Sequence, residues 1–409
     1  MMKPIAIYIH WPFCLKKCPY CDFNSHVSDN ISTQDWLKSY IREIQFFKNI
    51  IQNRVVTSIF FGGGTPSLMD PKIVEAIIQE VQSISNLDPN VEITLEANPT
   101  SVEAQKFQDF KRAGINRVSI GLQSFEMKEL QFLGREHTPS EAIYAVKLAD
   151  KYFDRYSFDI IYALPNQTLT SLHNTIKKAL DLAKDHISLY QLTIEKGTKF
   201  FSMHKKGQFT MLDNDVCSEM YFMVDSMLKD QNFYRYEISN YAKRSKNTNT
   251  HNDSLSISRH NMCYWKYDEY LGIGPGAHSR LFYDGNIKKS IEINSNYNTK
   301  IIAMNMIYNP ANWMNKVQNQ RNGINSATLL SKNEIITEMT MMCLRTFNGI
   351  QNTKVQQIFD SNIAELFSES VLQSLDDSGL IKYSSEFIKP TTIGMNLNNS
   401  LIQTLLNHC

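Results

Sequence analysis

Apolar residues in the first half of the chain fall in short, nearly continuous runs at 5–9, 55–61, 91–95, 117–122, 156–163 and 186–193. Runs of this length, rich in Ile, Val and Phe, mark strands buried on both faces. Between them lie longer stretches in which apolar residues recur at helical spacing, at 36–50, 71–84, 102–112, 139–151 and 169–183. A strand–helix alternation of this kind predicts a parallel sheet with helices packed outside it.

An open doubly wound sheet and a barrel both satisfy that pattern. The residues after each run choose between them. Cys14 to Cys21 follow the first run, Gly62-Gly63-Gly64-Thr65-Pro66 the second, and Glu96-Ala97-Asn98-Pro99 the third. Gln123-Ser124 follow the fourth, and Asp159 lies within the fifth. Chemistry-bearing residues at successive strand ends converge on one face of a (β/α) barrel. The expected fold is therefore α/β: a partial (β/α)6, TIM-like barrel, open on one side. A seventh short strand is available at 234–238, and 271–278 reads as a glycine-rich turn.

The C-terminal part changes character. Ser331-Lys332-Asn333-Glu334 is a capping box that opens a helix to about residue 345. A helix over 363–376, a hairpin over 379–390 and a final helix predict an α+β, winged-helix-like module. The expected divisions are a barrel over 1–240, a connecting region over 241–325 and the C-terminal module over 326–409. The stretch 284–325, rich in Asn and Lys, reads as surface-lying, although 301–306 could be buried.

Charge adds an exclusion. The 409 residues carry 42 Lys+Arg against 41 Asp+Glu, a balance that argues against a nucleic-acid binder or an anionic membrane surface. No apolar run approaches a bilayer span. Met1 to Pro4 carry one Lys and no small-residue cleavage site follows, so no secretory signal is expected. The expected setting is the reducing cytoplasm, where disulfides do not persist.

Against that background, the Cys14-x3-Cys18-x2-Cys21 loop is the main chemical signal. Three thiolates on one short loop can hold three corners of an iron–sulfur cube and leave the fourth iron open. A structural zinc site needs four ligands, for which His10 or His26 would have to serve. Cys217, Cys263, Cys343 and Cys409 are scattered and read as ordinary small apolar residues or surface thiols.

With Tyr20 beside its last cysteine, this loop resembles the cluster loop of the radical S-adenosylmethionine (SAM) superfamily. Gly63, Gly64 and Thr65 resemble that superfamily's glycine motif, whose backbone meets the methionine amino group of SAM. More of the pattern resembles the branch containing oxygen-independent coproporphyrinogen III oxidase. The matching positions are Tyr8 in the first strand, Glu96, Gln123, Arg135, Asp159 and, less closely, Thr193. The resemblance implies a 4Fe-4S cluster on Cys14, Cys18 and Cys21, with SAM held by these residues. Phe23 stands where the oxidase has a fourth cysteine, and the oxidase's long N-terminal extension has no counterpart before Cys14. Both departures resemble the oxidase-like branch of heme chaperones. So does His260-Asn261-Met262-Cys263-Tyr264-Trp265, in which His260 is an expected heme ligand, with Cys263 as the alternative and Arg259 placed to pair with a propionate. The implied partners are heme, a heme-acceptor protein and an electron donor. The alternative is a radical SAM enzyme that decarboxylates coproporphyrinogen III.

Overall fold

The computed structural model describes residues 2–28, 31–244, 256–283, 287, 291–293 and 299–407. Its centre is a parallel run of strands: β1 (Lys3–Trp11), β2 (Arg54–Gly63), β3 (Asn86–Ala97), β4 (Arg117–Gln123), β5 (Arg155–Tyr162) and β6 (His186–Gln191). All six apolar runs of the sequence are therefore strands, in the expected order. Beyond β6 the chain adds β7 (Phe233–Arg235) and β8 (Asn240–Lys243) in antiparallel fashion.

The other edge was not legible in advance. β9 (Tyr270–Ile273) pairs parallel with β1, with Ala6 opposite Tyr270 and Ile9 opposite Ile273. The seventh parallel strand thus comes from the stretch that reads as a glycine-rich turn, and the 234–238 segment pairs antiparallel instead. Only 274–277 turn, after which β10 (His278–Phe282), β11 (Ile301–Met306) and β12 (Ile324–Leu329) extend the same sheet. The sheet order is β12-β11-β10-β9-β1-β2-β3-β4-β5-β6-β8-β7, so it stays open and unclosed. The boundary expected at 325/326 falls inside β12, and parts of 284–300 lie outside the described residues.

The helices between strands bury one face each. In Pro71–Ile84, the N-cap Asp70 accepts from the Lys72 N–H and Pro71 sits where no donor is needed. Its buried residues Ile73, Val74, Ile77, Ile78 and Val81 recur every three to four positions and face the sheet. Each such side chain contributes about 1.5–3 kcal/mol by leaving water. A capping box of Thr138 and Glu141 starts Pro139–Tyr152 in the same way.

Glu43, on the helix Thr33–Phe46, fastens the new edge. Its buried carboxylate accepts from Gly274 N at 2.8 Å, Gly323 N at 2.7 Å and Trp313 Nε1 at 3.0 Å. The C-terminal part forms a second core around Ile335, Met339 and Leu375, with a three-stranded sheet from Ile350–Gln351, Phe387–Pro390 and Ile381–Tyr383. The Ser331 capping box is present, but the helix expected over 363–376 is two, Ile363–Leu366 and Glu369–Asp377, because Phe367 and Ser368 are extended.

Candidate functional site

A cavity of about 410 Å³ opens at the C-terminal ends of β1 to β6. It brings together Cys14, Cys18, Cys21, Tyr20, Gly63, Gly64, Thr65, Glu96, Gln123, Arg135 and Asp159, all named from sequence, together with Thr193. Tyr8 stands at the neighbouring cavity described below.

The cysteines are half-buried and unpaired. Thr65 Oγ1 donates to Cys14 Sγ at 3.3 Å, and Arg135 Nη1 to Cys18 Sγ at 3.6 Å. Burial pushes the Cys14 and Cys21 thiols up, so a bound cation would be needed to draw out their thiolates. Among the described residues, no three His, Cys, Asp or Glu side chains converge as a single ion requires. That disfavours zinc. It does not disfavour a cube, which gives each thiolate its own iron.

The glycine turn after β2 is shaped by close approach. Gly63 has φ +113°, and an added Cβ would lie 2.5 Å from the His10 ring. At Gly64 a Cβ would lie 2.6 Å from the Phe13 carbonyl oxygen. Only glycine brings backbone this near the cysteine loop without collision. Gly63 N donates to Glu96 Oε2 at 3.2 Å.

Two of the carboxylates that line the cavity, Glu96 and Asp159, come from its strands. Burial, then the neighbouring Asp159 charge, raises Glu96 to about 8. Burial raises Asp159 to about 6, although Arg117 and Arg135 pull the other way. Asp159 Oδ1 and Gln123 Oε1 are buried acceptors without a hydrogen-bond partner in this structure. Gln123 also holds a left-handed backbone, φ 71°, which turns the chain at the strand end. Unpartnered buried acceptors are rare and costly, and here they suit a ligand rich in N–H and O–H groups. Arg135 is fixed by Asn98 Oδ1 at 2.6 Å and the Gly121 carbonyl at 2.8 Å. Asn98 was absent from the sequence's site residues, although it lies in the polar cluster after the third run. Desolvation also raises the Tyr20 phenol.

A second cavity, of about 550 Å³, shares Gly63, Glu96 and Phe23 with the first. Its walls are aromatic: Tyr8, Tyr264, Trp265, Tyr270 and Tyr308. His278, Arg280, Glu338 and Met342 complete the side towards the C-terminal part. Phe23 is 55% exposed between the two cavities.

The structure sets His260 apart from both cavities. It lies in the short helix Arg259–Trp265 and is 1% exposed. Its Nδ1 shares a hydrogen bond with Ser58 Oγ at 2.9 Å, and its Nε2 with Tyr264 OH at 2.8 Å. The ring stacks on Phe60 at 4.9 Å, and burial lowers its pKa to about 3. No free ring nitrogen is offered to an iron. Cys263 is buried too, donating to the Glu269 carbonyl. Arg259 bonds the Asn90 carbonyl and Asp88 instead of facing the cavity. The residues of this motif that reach the cavity are Tyr264 and Trp265, with His260 holding Tyr264 from behind.

Comparison with known proteins agrees with this geometry. Residues 8–179 match the radical SAM superfamily. The chain is 32% identical to heme chaperone HemW of Buchnera aphidicola subsp. Acyrthosiphon pisum, over 99% of both chains. It is also 32% identical to radical S-adenosyl methionine domain-containing protein 1, mitochondrial, of Danio rerio, over 98% of this chain and 86% of that one. Among solved structures, coproporphyrinogen III oxidase (HemN) of Escherichia coli superposes with a TM-score of 0.78 at 20% identity, covering 98% of this chain and 90% of the other, which establishes the fold alone. The chain therefore belongs to the radical SAM superfamily and, within it, to the family of the heme chaperone HemW and its mitochondrial relatives.

Proposed function

We propose that this protein is a heme chaperone that carries a 4Fe-4S cluster and SAM and passes heme to an acceptor protein. The observation that carries the reading is the pair of adjoining cavities. One faces three unpaired cysteines and two unpartnered acceptors; the other is aromatic, and Gly63, Glu96 and Phe23 stand between them.

In this reading Cys14, Cys18 and Cys21 hold three irons, and the cluster supplies an open iron and an electron. Gly63 and Gly64 let backbone approach SAM, while Glu96, Gln123, Arg135 and Asp159 orient its polar groups. Tyr20 walls the cluster loop. Tyr8 and the other aromatic residues supply flat apolar surface for a tetrapyrrole. Phe23, an apolar side chain between the two cavities, contributes no fourth thiolate. The unpaired cysteines suit a reducing compartment such as the cytoplasm. Among the described residues, no helix is long and apolar enough to cross a membrane.

The test is to reconstitute the protein anaerobically, add SAM and either heme or coproporphyrinogen III, and record the heme Soret band and the porphyrin products. Stoichiometric heme uptake without porphyrinogen turnover is expected. Turnover without heme uptake would replace the chaperone with the oxidase.

A further inference from the structure

We propose that His278 is the axial ligand of heme iron in the larger cavity. This rests on the heme reading above and names the atom donor that reading lacks.

The cavity has the capacity for a cofactor-sized ligand, its 550 Å³ falling within the usual range of about 300–1,000 Å³. Its aromatic walls are set by contacts within the fold. Tyr264 meets Tyr270 edge-on at 4.6 Å, and Tyr264 is held in turn by His260. What a heme then requires is one accessible nitrogen, sulfur or oxygen donor.

Among the described residues, most donors near this cavity are already engaged, the Tyr308 hydroxyl and the Met342 sulfur excepted. His10 has Nδ1 on Tyr8 OH at 3.0 Å and Nε2 on the Asn24 carbonyl at 2.9 Å. The Tyr267 hydroxyl donates to Glu338, whose carboxylate is also clasped by Arg280 at 2.6 and 2.9 Å. Asp268 is paired with Lys354. The Tyr270 phenol is pushed up to about 12 by burial and stays protonated at neutral pH.

His278 differs in each respect. It begins β10, directly after the turn at Gly274 to Ala277, and its side chain is exposed and lines the cavity. No hydrogen bond engages its ring among the described residues, so the imidazole is free to ligate. Its backbone is fixed, since His278 lies opposite Asn305 in the β10–β11 pairing. A ligand on a rigid strand, at an open mouth, suits a site that must both take up and release its cargo.

The experiment titrates hemin into the full-length, cluster-reconstituted protein and into His278→Ala. Soret spectra are read with and without added imidazole. The wild type should give a shifted Soret band. His278→Ala should bind about tenfold more weakly or worse, with an altered Soret maximum that free imidazole restores. Cluster content and SAM affinity report folding, because His278 borders neither the cysteine loop nor the first cavity. An unchanged Soret maximum and affinity in His278→Ala would overturn the ligand assignment and leave the heme reading standing. Loss of binding that imidazole does not restore would make His278 a wall residue and likewise overturn it as ligand. No heme uptake by the wild type would overturn both.

Discussion

The backbone N–H of Gly63 donates to the Glu96 carboxylate across 3.2 Å, and both residues border both cavities. One hydrogen bond therefore sits on the partition between the proposed SAM site and the proposed heme site. Burial and the Asp159 charge also oppose ionisation of Glu96, raising it from 4.5 to about 8.

Glu96 should make the ligand-free protein less stable as pH rises. Between about pH 4.5 and 8 the folded chain keeps a proton that the unfolded chain has released, so stability falls through that window. Glu43 and Glu237, each raised to about 7, act in the same direction and remain in the mutant. Glu96→Gln should flatten part of the slope, read by thermal unfolding at pH 5.5 and 8, while weakening SAM binding roughly ten- to a hundredfold. Equal losses of stability in mutant and wild type between the two pH values would show that Glu96 is not the source.

Removing any one of Cys14, Cys18 or Cys21 should abolish the brown iron–sulfur chromophore. Each Ala variant is to be reconstituted anaerobically and assayed for iron and sulfide. A full complement of both in a triple Ala variant would exclude this loop as the cluster's holder.

Gly63→Ala should be structurally expensive. The new Cβ would sit 2.5 Å from the His10 ring in a left-handed backbone, φ +113°. About 1–3 kcal/mol of stability should be lost from backbone strain before any contact is counted. Denaturant unfolding measures this, and a midpoint within error of wild type would contradict the close packing of the turn against β1.

His260→Ala should act on stability first. It removes a stacked, buried ring and leaves Ser58 and the Tyr264 hydroxyl without their partner. About 2–4 kcal/mol is the expected cost. Heme affinity should fall only as far as Tyr264 is displaced, and imidazole should not restore it. Rescue by imidazole would return the ligand role to His260.

Much of this was legible in the chain because local signals report local structure. The six runs became β1 to β6, and the residues after them met at one cavity, since a parallel sheet puts successive strand ends on one face. What failed depended on distant partners. The stretch Leu271-Gly272-Ile273 carries a turn's composition, yet its neighbour β1 recruits it as a strand. His260 looks like a free imidazole beside two aromatics. Its burial is decided by Ser58 and Phe60, some two hundred residues earlier in the chain, and by Glu92, which accepts from its backbone N–H at 3.1 Å. The break at Phe367 and Ser368 is likewise invisible in helical periodicity. Cys409 lies outside the described residues.

Heme, if it is cargo, must be able to leave this chain for another protein. The most direct measurement loads the cluster-reconstituted, SAM-bound protein with heme, adds an excess of an apo-heme protein, separates the two and follows the Soret band of each. The heme should leave this chain intact and appear on the acceptor faster than from free hemin at equal concentration. Heme that stays bound, or that reaches the acceptor no faster than free hemin does, would contradict the chaperone reading.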